Sequence, residues 1–358
     1  MDLKLYLEDL ERRINPEEEE RLEKEWLAFA DGKCTDPFFS PRREISKPTV
    51  DYPPMLINDA FKREDWMVYH QLKLVSEELE SGKGNLLNVR ANYGTGIIPS
   101  MFGAEVYYMD DKLDTLACTR PLADGEDGVR RILEARKADY TKGLAGNVFR
   151  FAQVYAEAVK DYPKIRRYVH VYNPDLQGPF PLADELWGGD IYYAMYEDED
   201  LLHDMVGFMA DTYIDFIRKW QSMYPSFDDT HSVEWGLLHR GKTIVRNDAV
   251  MNISGDMYEE FVKPYDQRIL NTLTGGIHFC GRGDHYIDHV GSLENISCVN
   301  MSQPHLNKMD VIYKHTIERG IPIIGMPEAE VLRAREAGVN LRGLVHSGAS
   351  LAVWETKK

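Results

Sequence analysis

The chain has 358 residues, 43% of them hydrophobic, enough for a sizeable core and for one to three domains. Its formal net charge is −17, from 59 acidic against 42 basic residues. A surface of that sign repels phosphate backbones and anionic lipid, which argues against nucleic-acid or membrane binding. Four cysteines (Cys34, Cys118, Cys280 and Cys298) stand without a CxxC pair and fit reduced thiols in a cytoplasmic protein rather than a disulfide framework.

The opening Met1-Asp2-Leu3-Lys4 lacks the basic and then apolar run of a secretory signal, and no apolar stretch reaches the length of a membrane span. Residues 1–35 are charge-rich with helical periodicity. Pro16 followed by four glutamates reads as a helix start, because acidic side chains in a first turn complement the helix dipole. Five prolines in residues 36–54 predict an extended or looped segment, and an amphipathic helix follows from Asp65 to Gly82. Residues 1–80 are thus expected to form a helical extension packed on a domain spanning 81–358.

From there, short apolar runs alternate with longer amphipathic stretches. The strand candidates are Leu86–Val89, Tyr168–Tyr172, Thr243–Val245, Gly276–Phe279, Ser297–Met301, Pro322–Gly325 and Leu341–Val345, with an eighth expected near Val233–Leu238. Helical patterns cover Asp198–Tyr224, Tyr258–Leu273, Tyr286–Leu293, Asp310–Arg319 and Glu328–Ala337. Alternation on that scale predicts parallel βαβ units and an α/β fold, a (β/α)8 TIM barrel in preference to an open doubly wound sheet. No GxGxxG opens a helix after the first strand and no GxxxxGK[ST] occurs, so nucleotide-binding readings lose their usual support.

Several candidate strands end in polar residues: Arg90, Asn92 and Tyr93; Asp175 and Gln177; Arg246 and Asp248; His278, Cys280, Arg282 and His285; and His346. In a barrel these ends converge on one face, where chemistry is housed. His278 and Cys280 are the sharpest pair. On a strand, i and i+2 point the same way, and imidazole and thiolate are both good zinc ligands. Gly281 and Gly283 permit a tight turn behind them. The competing reading is a buried, hydrogen-bonded histidine beside an inert cysteine. His346 is the candidate third ligand, with Asp248, Glu328 or the substrate in a fourth position. Asp248 is also a candidate general acid or base, or an orienting group kept ionised by its neighbour Arg246. Arg90, Arg246 and Arg282 suit a carboxylated substrate, or else pair with Asp248, Asp284 or Asp175. Asn92, Tyr93, Gln177 and His285 complete the expected substrate-binding set. The acidic residues of Asp256–Phe261 read as a helix start, and Tyr192, Tyr193 and Tyr196 as packing.

Four segments carry a resemblance: Leu176-Gln-Gly-Pro-Phe-Pro-Leu-Ala183, Ile253-Ser-Gly-Asp-Met-Tyr-Glu-Glu-Phe-Val-Lys-Pro-Tyr265, Gly276-Ile-His-Phe-Cys-Gly281 and Glu336-Ala-Gly-Val-Asn340. Over roughly residues 80–350 the chain resembles the uroporphyrinogen decarboxylase superfamily, which includes the decarboxylase of haem synthesis and cobalamin-dependent methyltransferases on a (β/α)8 barrel. Arg90-Ala-Asn-Tyr-Gly94 stands where decarboxylases carry an arginine-rich loop, so the resemblance leans to the methyltransferases. In those, His-x-Cys-Gly binds zinc and activates a thiol or similar acceptor. The resemblance implies a methyltransferase component that moves a methyl group between a small, anionic methylated substrate and a cobalamin, free or on a partner corrinoid protein. It implies zinc on His278, Cys280 and His346. Where the methyltransferases place a third ligand, a cysteine, this chain has His346, and decarboxylases use a histidine on that strand to contact substrate. The alternatives are therefore a metal-free carboxy-lyase acting on a carboxylated substrate, or a non-catalytic tetrapyrrole- or cobalamin-binding barrel. Some relatives pair, so a homodimer is compatible with the resemblance.

Overall fold

Apolar runs four to six residues long that are buried on both faces are the mark of parallel strands, and here they build the centre of the molecule. In the computed structural model, which describes residues 2–225 and 227–348, the strands are β1 Asn88–Val89, β2 Glu105–Tyr107, β3 Cys118–Arg120, β4 His170–Val171, β5 His231–Glu234, β6 Leu237–Arg240, β7 Thr243–Arg246, β8 Gly275–Phe279, β9 Ile296–Met301, β10 Ile323–Met326 and β11 Val345–Ser347. Strands β7 to β11 form a parallel five-stranded sheet with neighbours in chain order. Every residue of β7, β8 and β10 is buried.

The ladder continues past both edges of that sheet. Gln177 bridges in parallel to Arg246, and β4, a few residues earlier, pairs in parallel with β1. At the other edge Phe39 bridges in parallel to His346. Phe39 N donates to Val345 O at 2.9 Å, and Ser347 N donates to Phe39 O at 2.7 Å. The fold is therefore mixed α/β around parallel strands. Among the described residues no strand pairing joins β1 to β11, and a lone antiparallel bridge, Arg42 to Lys83, links the segments next to them.

The eighth strand expected near Val233–Leu238 is not a parallel strand. Residues 231–240 fold as the antiparallel hairpin β5–β6. Its two-residue turn is Trp235-Gly236, with φ of 53° and 78°, the left-handed geometry that matches the twist of paired strands. A second hairpin, β2–β3, lies in a region where the sequence pattern showed no strand.

The helices follow their sequence signals with three exceptions, one of them the pattern at 310–319, which divides into a helix, Met309–His315, and a 3-10 turn, Ile317–Arg319. Glu199–Gln221 is a single long helix, started by the Asp198 side chain accepting from Leu201 N. The pattern at 258–273 is broken into Gly255–Phe261 and Lys263–Leu273, because Pro264 has no N–H to carry the first helix onward. Ser254 caps the first of these, accepting from Met257 N. The Tyr286–Leu293 pattern shrinks to Ile287–Val290. In the N-terminal region Lys4–Arg13 and Pro16–Ala30 are helical, with Glu17, Glu18 and Glu19 in the first turn of the second and Asn15 as its cap. Glu64–Ser81 ends on Gly82 at φ 71°. No described helix is long and apolar enough to cross a membrane.

Candidate metal centre at the ends of β7 and β8

Register fixes the site. Arg246, His278, Asn300 and Ile324 pair across β7, β8, β9 and β10, so they form one row across the sheet. Two residues beyond His278 the chain leaves β8 at Cys280, and two beyond Arg246 a 3-10 turn, Asp248–Asn252, begins. These steps bring Asp248, His278 and Cys280 together, with one ligand atom from each within 4.8 Å of the others. His278 Nε2 lies 3.3 Å from Asp248 Oδ1 and 3.4 Å from Cys280 Sγ. His278 is buried, whereas the Asp248 side chain is 35% exposed and forms the open side of the cluster.

The surroundings orient each group. Asn300 Nδ2 donates to Ile324 O at 2.7 Å, which turns Asn300 Oδ1 toward His278 Nδ1, 2.5 Å away. Nδ1 must then be the donor, and Nε2 is the nitrogen that faces the carboxylate and the thiol. Gln177 Nε2 donates to Asp248 Oδ2 at 2.6 Å, and the Cys280 thiol lies 3.3 Å from Ser302 Oγ. Gly281, at φ 70°, makes the turn after Cys280 and donates its N–H to Gln303 Oε1. That left-handed φ is what favours glycine at the position. Trp235 is held at positive φ by the hairpin turn, with its ring 5.3 Å from the His278 ring and under the Arg246 guanidinium at 4.5 Å. A bulky residue in that backbone region is costly and persists only where packing demands it.

Electrostatics follow from this geometry. Burial would depress the His278 imidazolium, but hydrogen bonds with Asp248 and Cys280 outweigh it and lift the group to about 10. Burial opposes ionisation of Asp248, yet His278 and Gln177 hold its carboxyl well below the usual carboxylate range. Arg246 does not supply that effect, since its charge is spent elsewhere. The free cluster therefore holds a proton on Nε2, between a carboxylate and a sulfur. A proton held there occupies the place a cation would take.

The other expected residues divide. Arg246 is buried, 2.7 Å from Asp175 and 2.8 Å from Glu234, and Arg90 contacts Asp175 at 2.8 Å. Arg282 pairs with Asp284 at 2.6 Å and is 56% exposed. All three arginines thus meet carboxylates of the chain itself. Asn92 is buried with its Oδ1 unpartnered, Tyr93 packs edge-on against Phe61 in the core, and His285 Nε2 lies 2.8 Å from Ile253 O. His346 does not join the cluster. Its Nδ1 accepts from Gly325 N at 3.1 Å, and its ring packs against Trp26 at 4.6 Å and Phe39 at 5.7 Å. Burial among these rings pushes it down to about 3.

Several neighbouring groups were missed in the sequence, Ser302 among them. Asn300 carries a weak signal, an amide in the otherwise apolar run Cys298-Val-Asn-Met301. Glu185, on helix Pro179–Trp187, carries none. Burial lifts Glu185 to about 7 against hydrogen bonds with Thr95 and Thr119, and Asp248 lies within its electrostatic reach.

Neither a known protein family nor a curated protein matches the chain. Among solved structures, a methyltransferase from Methanosarcina mazei is similar, with 14% identity and a TM-score of 0.61 over 93% of this chain and 94% of that one. At that identity the likeness is one of fold.

Proposed function

We propose that this protein is a methyltransferase of the uroporphyrinogen decarboxylase superfamily, with a zinc ion on Asp248, His278 and Cys280 and a corrinoid, free or on another protein, as methyl donor or acceptor. On this reading the ladder running from β1 to β11 and Phe39 is the wall of a (β/α)8 barrel, and the cluster lies at the C-terminal ends of its strands. The observation that carries the reading is the convergence of one oxygen, one nitrogen and one sulfur donor on a common point. Three protein ligands with one open position are the arrangement of a catalytic zinc, and this donor set is one that zinc accepts. The full-length likeness to a methyltransferase supports the reaction class.

Bound there, zinc would lower the pKa of a coordinated thiol or water and so supply a nucleophile at neutral pH. The chain does the rest. Asn300 fixes the His278 ring so that Nε2 faces the ligand point, and Gln177 aims the Asp248 carboxylate. Ser302 contacts the sulfur and holds its direction.

The carboxylate-binding alternative drew on three arginines and on His346; each arginine already holds a carboxylate of the chain, and His346 packs against Trp26 and Phe39. Elemental analysis of protein purified without added metal tests the metal half of the proposal, with about one zinc per chain expected. Methyl transfer from small methylated compounds to free cob(I)alamin, followed spectroscopically, tests the reaction. Retained turnover of any substrate in Cys280→Ser, or after chelation, would overturn it.

A further inference from the structure

A cavity of about 700 Å3 opens where β4 begins, at the other end of that strand segment from Asp175 and Gln177. Its volume suits a small organic molecule. One part of the wall is apolar, from the buried Val159, Val169 and Val171. The other part is cationic, from Lys160, Arg166 and Arg167. Most of this charge is answered within the chain. Arg167 grips Glu23 with two bonds of 2.7 Å, and Lys160 pairs with Glu157. Arg166 is different. Its guanidinium reaches Lys160 O at 3.4 Å, and among the described residues no carboxylate lies within ion-pair distance. In a chain of net charge −17, an unanswered guanidinium beside a half-apolar cavity is the complement of an anion with an apolar body.

We propose that this cavity binds an amphipathic carboxylate, with its apolar body against Val159, Val169 and Val171 and its head group on Arg166. The planar guanidinium offers a carboxylate two parallel N–H bonds, which a neutral head group cannot accept with comparable strength. The proposal is independent of the zinc cluster, which is built on other strands.

Decanoate, titrated calorimetrically into the full chain, tests it. Saturable binding of about one decanoate per chain is expected. Arg166→Gln should weaken it about tenfold, the loss expected of a charge-assisted hydrogen bond. Ala156→Trp should abolish it, because Ala156 lines the cavity from an exposed helix position where a large side chain plugs the space without entering the core. Decanol should bind at least tenfold more weakly than decanoate, and Cys280→Ser should bind decanoate as the wild type does. No saturable binding, binding unmoved by Ala156→Trp, equal binding of decanol, or loss of binding in Cys280→Ser would each overturn the assignment.

Discussion

His278 and His346 lie on β8 and β11 of one sheet, both almost fully buried, and each has its Nδ1 bonded to the protein. Their neighbours differ. His278 is surrounded by a carboxylate, a thiol and an amide, and is lifted to about 10. His346 is surrounded by Trp26, Phe29 and Phe39, and is pushed down to about 3. Burial acts on both in the same direction, so the difference comes entirely from what the open side of each ring meets. One histidine has donor atoms beside it that a cation could share, and the other packs against ring faces, with Arg42 the charge that acts on it.

The largest expected effect divides the two sites by metal. Cys280→Ser should lose zinc by more than about a hundredfold in affinity, beyond the range typical of losing an outer partner, as read by chelator competition. The same assay on His346→Ala should show wild-type zinc content. A drop there would erase the contrast and return His346 to the ligand set.

Next in size is stability. His346→Ala leaves a void among three aromatic rings and should cost about 2–4 kcal/mol in urea unfolding. An unchanged midpoint would mean that the aromatic packing is not what His346 serves. Asn300→Leu should keep the fold but release the His278 ring, lowering zinc affinity about 10–100-fold. Unchanged affinity would detach ring orientation from metal binding.

The smallest effect is a slope. His346 is depressed from its ordinary 6.5 to about 3, so between these pH values the unfolded chain binds a proton at this site and the folded chain does not. Stability contributed by the neutral ring is complete above about 6.5 and is lost as pH falls toward 3. Replacing it in His346→Phe should remove about one proton from the pH dependence of unfolding in that window. Equal slopes in wild type and variant would show that the ring titrates normally.

Much of this was legible in the residues. Four strands of the sheet announced themselves because strands buried on both faces must be apolar, and His278-x-Cys280 was readable because i and i+2 share a face; the fifth, expected at Leu341–Val345, is instead Val345–Ser347, after a turn at 342–343. The third member of the cluster was harder. His346 and Asp248 both follow apolar strand runs, and choosing between them needs the register of β7 on β8 together with the direction of the 3-10 turn after Arg246. Neither is local. The hairpin at 231–240 was misread because its alternation resembles a parallel strand until Trp235-Gly236 is recognised as a two-residue turn. For the arginines the residues left substrate binding and pairing within the chain both open, because Asp175 and Glu234 are brought to Arg90 and Arg246 only by long-range pairing, whereas Asp284 is a near neighbour of Arg282.

Phe39 adds a strand-like bridge to β11, and its two backbone hydrogen bonds occupy an edge that would otherwise be open. On the ribosome, Phe39 leaves the exit tunnel long before Val345 and Ser347. The segment that protects the sheet's edge therefore has no place to dock until β11 has been made. Through that interval Trp26, Phe29 and Phe39 have no His346 to close around. A chain with this order of events waits with apolar rings uncovered, and its yield in the cell should depend on how quickly β11 is delivered.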